Sequence, residues 1–536
     1  MALDRLSTAL TLTVDGTSHG LVATQIEAVA LDLHAWGFEA DVTFVVESEG
    51  SGTDDDPLFS DFQKPALMTA ALTLERSFDE VDEESIPLTA TGVVLARSLE
   101  ETTSEGVAED PILLRRYHVR FVDRAQALWG QHRPVDLRVN TTYQALIDAH
   151  KPDGLTLTHS WASSSVQRPV LAIGLGVGDA PASFYDLVLW LADREGAGLL
   201  HDVRANAYSL VDTKPTGAKR VLEHGVVTSI EVILPVLRRA VPVVLNAFTD
   251  ASEARQEITN AQSATGVRSE WLVRTPLASE VDVRKGRETK RARQRLAGAR
   301  VTLGVLPAKP IAPGDAVTFD DDFSAALFVS GKSFRAAGVS VRATAAEDDG
   351  GSESDGQRYE LAITVDLEQA SDPVFGAPAW VAPRWPFELE GKVVSEIGAD
   401  DEETYQIYQD AQTSVDLYKV DVPLFANARV IVAYEPIMMS GHFYFPAYKG
   451  ERVLLSFEFD RAHFAGFLDW RPGARLPLDT QGNHILFGKK AASQTSLRHT
   501  YADAKPLLTL ARTSDKDTQT LVIEEGTLSI VVKEDT

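Results

Sequence analysis

A period of two in the apolar residues, returning from one end of the chain to the other, constrains this sequence more than any other feature. Over residues 8–15, Leu10, Leu12 and Val14 share one face of an extended segment before Asp15-Gly16 supplies a turn. The alternation returns at Phe38, Ala40, Val42, Phe44 and Val46, at Tyr117, Val119 and Phe121, and near the end at Leu528, Ile530 and Val532. Such a pattern describes strands with one dry and one wet face, and a helix would scatter it around its circumference. Helical spacing is confined to patches. Phe184, Leu187, Val188 and Leu191 fall at i, i+3, i+4 and i+7, with Gly196 placed to cap the end. Residues 143–149 form a second patch, and the basic stretch 284–300 reads as a polar helix. The expected class is mainly β with a few packed helices.

At 536 residues the chain is several times the usual domain length, so two to four cores are expected. Its 44% hydrophobic and 24% charged residues are ordinary for a globular protein, and no apolar run approaches the ~18 residues of a membrane span. Met1 to Leu6 shows no basic region followed by an apolar one, so no cleaved signal peptide is expected. With no cysteine, disulfides, thiolate nucleophiles and thiolate metal sites are excluded together. A net charge of −27 opposes capture of nucleic acid, which depends on Lys and Arg releasing counterions from phosphate.

Acidic, Gly- and Ser-containing stretches at 47–56, 346–356 and 399–403 read as exposed loops. The Pro- and Trp-rich joint 378–386 marks a boundary near residue 384, because repeated proline forbids helix interiors and central strands. Beyond it, β-type runs at 389–395, 415–422, 428–435, 442–446 and 452–459 suggest a small five-stranded barrel, with the OB-fold leading. From about residue 473 alternation returns, but roughly sixty residues of strand and turn bury too little surface for a core and leave sheet edges unpaired. Association of several chains would answer both problems. Leu521, Ile523, Leu528, Ile530 and Val532 are the candidate buried seam.

The barrel segment contains Gly441-His442-Phe443-Tyr444-Phe445-Pro446-Ala447-Tyr448-Lys449-Gly450-Glu451-Arg452-Val453, an aromatic-Pro turn and a Gly-x-x-Val step before a strand. Phe464-Ala465-Gly466-Phe467-Leu468 follows as a closing strand. Upstream come Gly92-Val93-Val94, then 116–122, Pro134-Val135-Asp136-Leu137 and the helical patch 142–150. Leu191-Ala192-Asp193-Arg194-Glu195-Gly196 ends a helix, and Pro313-Gly314-Asp315-Ala316-Val317 opens a strand. In this order and spacing the chain resembles the VgrG and phage tail hub-and-spike family. It departs from the usual type VI secretion pattern at Arg168-Pro169, where a Gln-Tyr and Glu-Thr signature is absent.

The resemblance implies a hub of paired β-barrels over residues 1–384, an OB-fold over 385–472 and a trimeric β-prism or β-helix spike over 473–536. It implies a homotrimer that adapts a threefold spike to a hexameric inner tube protein, carries a PAAR-type tip protein, meets other baseplate proteins and effector cargo, and punctures a target envelope. The resemblance leaves type VI secretion, an extracellular injection particle and a phage-like tail open as the contractile injection system, and implies assembly in the bacterial cytoplasm and export on contraction. No enzyme activity, cofactor or metal is implied.

Residues that invite a chemical reading have a plainer one. Gly174-Leu175-Gly176-Val177-Gly178 lacks the P-loop Lys-Ser/Thr and reads as a turn before the Phe184 helix. His442 and His484 lack metal-ligand spacing, and His159-Ser160 has no nucleophile elbow. Asp320-Asp321-Asp322 is consecutive, so its carboxylates diverge. Arg284, Lys285, Arg287, Lys290, Arg291, Arg293 and Arg295 are the best case for nucleic acid, although an acidic surface of the trimer or of a baseplate neighbour is the better match. About a dozen residues, 471–483, join barrel to spike, too few for an intervening lysozyme domain. A carbohydrate- or nucleic-acid-binding multi-barrel protein and a cell-wall hydrolase are the alternatives.

Overall fold

The computed structural model describes residues 2–49, 56–77, 85–104, 112–177, 181–248, 254–346, 358–395, 408–411, 413, 415–433, 446–468, 483–490 and 492–534. Of the acidic stretches, residues 50–55, 347–356 and 399–403 lie outside them, as do residues 442–445 with His442, Gly178 and most of the 471–483 joint. The ends of the first stretch are no loop: residues 47–49 finish the strand Gly37–Glu49, and Asp56 is a buried helix cap. The chain forms two compact units, one of residues 1–133, 143–166 and 178–383, the other of 134–142, 167–177 and 384–536.

In the first unit the alternating segments close into a barrel. Eight antiparallel strands run in the spatial order Phe334–Ala345, Ile26–His34, Gly37–Glu49, Ile112–Val122, Leu88–Ser104, Met68–Arg76, Ala2–Val14 and Arg358–Gln369, and the last pairs back with the first. Closure leaves this sheet no free edge, and every second side chain points inward. Leu10, Leu12, Phe44, Tyr117, Phe121, Val341 and Ile363 are all buried in one core. The closing strands also serve a second barrel. Arg358–Gln369 gives residues 358–361 of one edge to Ala2–Val14 and residues 363–367 to Gly298–Leu303, which pairs in turn with Val227–Ile233, while residues 334–335 of Phe334–Ala345 pair with Ala316–Phe319 and through it Lys219–Leu222. Val301 and Val317 of that second, open barrel belong to the same core as the first. Pro313-Gly314-Asp315 leads into Ala316–Phe319, which is preceded in the chain by three other strands of that barrel.

The helix Phe184–Glu195 forms where the 3.6-residue spacing predicts it, and Phe184, Leu187, Val188 and Leu191 are buried. Ser183 and Asp186 build a capping box at its start, and Gly196 ends it in the left-handed region at φ 65°. Ser183→Ala removes the acceptor for the Asp186 amide and is expected to cost about 1 kcal/mol, read as a lowered urea midpoint with an unchanged slope.

In the second unit, five strands close a barrel in the order Phe387–Val394, Asp416–Val422, Ala428–Ala433, Ala462–Phe467 and Arg452–Phe457, with the third and fourth of this circuit parallel. Numbered along the chain this is 1-2-3-5-4-1, the OB-fold. The fifth strand is Ala462–Phe467, beyond the 452–459 run that completes the periodicity count. Tyr418, Val420, Val430, Val453, Leu455 and Phe457 fill it. At Gly391 an added Cβ would stand 2.3 Å from Val420 Cγ1, so any larger residue there must displace that core side chain.

Candidate assembly surface

The last five strands, Asn483–Lys490, Ser493–Ala502, Lys505–Ser514, Asp517–Glu524 and Thr527–Lys533, form an antiparallel meander paired in chain order. Asp503 and Ala504 at φ 50° and 62° make one two-residue turn, and Gly526 at φ 70° helps make another. Register decides which side chains share a face. Ile485 pairs with Leu497, Leu497 with Leu510, Leu510 with Leu521 and Leu521 with Ile530, so one apolar side chain from every strand lies in a single row. One step along the strands, Leu508, Ile523 and Leu528 form a parallel row on the same face. The structure therefore places Leu521, Ile523, Leu528, Ile530 and Val532 on one surface, with Val532 opposite Gln519.

No described residue of the chain covers most of that surface. Ile523, Leu528, Ile530 and Val532 are 44%, 63%, 71% and 60% exposed. Among the described residues beyond 482, Thr509 is the one buried side chain. A sheet of five strands with no buried apolar residue has no core, whereas covering each Leu or Ile would contribute about 1.5–3 kcal/mol. The sequence reading misses Ile485, Leu497, Leu508 and Leu510, because Ile485-Leu486-Phe487 and Leu507-Leu508 carry apolar residues on both faces and blur the alternation.

The basic segment resolves differently from the reading of 284–300 as one helix. The helix is Ala278–Arg291, and Gly298–Leu303 is a barrel strand in which a Cβ at Gly298 would stand 2.4 Å from Leu367 O. Its cations meet their own chain. Arg287 pairs with Glu195 at 2.8 Å, Arg291 with Asp193 at 2.6 Å, and Lys290 donates to the Glu195 carbonyl at 2.7 Å. Arg284 lies 4.4 Å from the centre of the Trp271 ring and pairs with Glu288. These cations compensate the negative C-terminal end of the Phe184 helix, a third outcome beside a trimer surface or a baseplate neighbour.

Val177 turns back to the Gly174 carbonyl at 3.2 Å, and Gly174 faces the Phe387 ring, as a packing turn does. His159 Nε2 pairs with Asp148 at 3.1 Å, His484 sits in the first strand of the meander, and Asp320 accepts from the His224 and Asp322 amides. Among the described residues no group of three His, Asp or Glu side chains could hold a metal ion. Burial pushes the Asp123 carboxyl up, while Tyr208 Oη at 2.6 Å and the Gln126 amide at 2.9 Å hold it as a helix cap. Trp36, Lys214, Arg335, Glu368 and Phe375 are among the residues lining a cleft of about 770 Å³ in the first unit, where Glu368 accepts from both Lys214 and Arg335. No helix of the described residues is long and apolar enough to cross a membrane.

No protein-family model matches the chain, and no curated protein matches it. A solved chain of the PdpA–VgrG complex in its lidless form superposes with TM-score 0.71 and 12% identity, covering 99% of this chain and 99% of the other. The Francisella PdpA–VgrG complex gives the same score and identity in its lidded and half-lidded forms, over 99% of this chain and 81% and 89% of the matched chains. With its paired barrels, OB-fold and terminal strand meander, the chain has a mainly β, VgrG-like fold, as its sequence resemblance implies.

Proposed function

We propose that this chain is the hub and spike of a contractile injection machine, working as a homotrimer whose role is mechanical. The observation that carries this reading is the coreless meander: five strands, one apolar row across all of them, and no buried apolar side chain among its described residues. Three such sheets facing inward would bury the rows against one another as a prism, with Leu521, Ile523, Leu528, Ile530 and Val532 in the threefold seam. The fused barrels support a hub role, since three copies of two barrels present six similar modules to a hexameric inner tube. The narrow end then carries a PAAR-type tip protein, other baseplate proteins hold the hub, and effector cargo travels with it. Assembly takes place in the bacterial cytoplasm, and contraction exports the particle and drives it through the target envelope. The chain contributes no catalytic step in this account.

Three copies carry a formal charge of 3 × (−27) = −81, which favours solubility of the assembled spike. Negative-stain images of the purified protein are expected to show tapering particles with threefold end views. Compact, untapered particles the size of one chain would overturn the proposal.

A further inference from the structure

The OB barrel has an occupant that belongs to the same chain. Strands Val135–Thr141 and Arg168–Gly174 pair as a two-stranded antiparallel ribbon, which lies more than two hundred residues upstream of the barrel's first strand and belongs to its compact unit. Leu137, Val170 and Ala172 share one buried cluster with Phe387, Tyr418, Val430 and Phe457 of the barrel. The Ala172 amide donates to the Phe459 carbonyl at 2.8 Å, and Trp385 Nε1 donates to the Ala172 carbonyl at 3.4 Å. Phe459 lies in the connection between the barrel's fourth and fifth strands, and both ribbon strands contact the third strand, Ala428–Ala433. In OB-folds the second and third strands and the loop between the fourth and fifth form the surface that takes oligonucleotides or oligosaccharides.

We propose that the ribbon is a built-in strap that completes the barrel's core and occupies part of its ligand surface. Two consequences follow from connectivity. The barrel cannot reach its native packing from residues 384–536 alone, since Ala172 and Val170 supply part of its interior. Cutting the Pro-rich joint leaves the two fragments held by packing, because the four other points at which the chain enters or leaves the unit, 133/134, 142/143, 166/167 and 177/178, all lie in the N-terminal fragment and keep the ribbon there. The strap reading is independent of the mechanical role proposed above.

The test uses the full chain with a protease recognition sequence inserted between the exposed Val381 and Ala382. After cleavage, the C-terminal fragment is expected to co-elute with the N-terminal one on gel filtration, and Val170→Asp is expected to separate them. Separation without the substitution, or continued co-elution with it, overturns the proposal. Native-state hydrogen exchange on the uncut, unsubstituted protein covers the case in which Val170→Asp fails to fold. Amides of 168–174 are expected to exchange within about threefold of those in Phe387–Val394 and Arg452–Phe457, as members of one cooperative unit do. Exchange more than about a hundredfold faster than those strands would show that the ribbon is no part of the barrel.

Discussion

Replacing Leu521 and Ile530 together with aspartate is expected to leave a folded hub and abolish association of the chains. The two residues are direct cross-strand partners in the proposed seam. Six aliphatic side chains are lost per trimer, each forfeiting about 1.5–3 kcal/mol of burial, so the loss is on the order of 10 kcal/mol before any charge is counted. At 1.4 kcal/mol per factor of ten, dissociation strengthens by about seven orders of magnitude. Six carboxylates brought together without partners add repulsion and desolvation. Neither residue belongs to the hub core, so the unfolding midpoint of the first unit should stay within error of the parent. A double variant that still sediments as the parent does would remove the seam from the account.

The largest single-residue effect on stability is expected at Glu195. Its side chain is 7% exposed and accepts from Ser163 Oγ at 3.1 Å and Tyr143 Oη at 3.4 Å, while Arg287 pairs with it at 2.8 Å. Glu195→Ala leaves a largely buried guanidinium and two hydroxyls without their acceptor, so a loss of about 3–5 kcal/mol is expected. Glu195→Gln keeps an oxygen for the hydroxyls and should recover part of it. Urea unfolding of both variants checks the order, parent above Gln above Ala. Equal midpoints for all three would show that the basic helix is not anchored there.

How much was legible from sequence follows the range of the interactions. The Phe184 helix and its Gly196 cap depend on residues within a few positions, and spacing alone locates them. Barrel strands such as Gly37–Glu49 and Ile112–Val122 are equally plain, because each must alternate to have one dry face. Their partners are another matter. Nothing near Phe334–Ala345 announces that it will pair with Ile26–His34, some three hundred residues away, or that it serves two barrels at once. Composition in the basic stretch suggests one helix, while the Gly298 backbone approaches Leu367 O too closely for any Cβ and begins a strand. In the meander, alternation isolates Leu528, Ile530 and Val532, but hides Leu508 and Leu510 among apolar neighbours until register sorts the faces. The strap escapes sequence reasoning altogether, since its contacts depend on a barrel encoded far downstream.

Everything mechanical in this account requires that the terminal sheet become rigid only in company. Sedimentation equilibrium of the full-length protein at micromolar concentration measures this most directly, alongside a chain ending at residue 472. The full chain is predicted to weigh three times its 58.3 kDa, and the shortened one to dissociate at far higher concentration. A full-length protein that stays monomeric with its terminal amides protected from exchange would contradict the account.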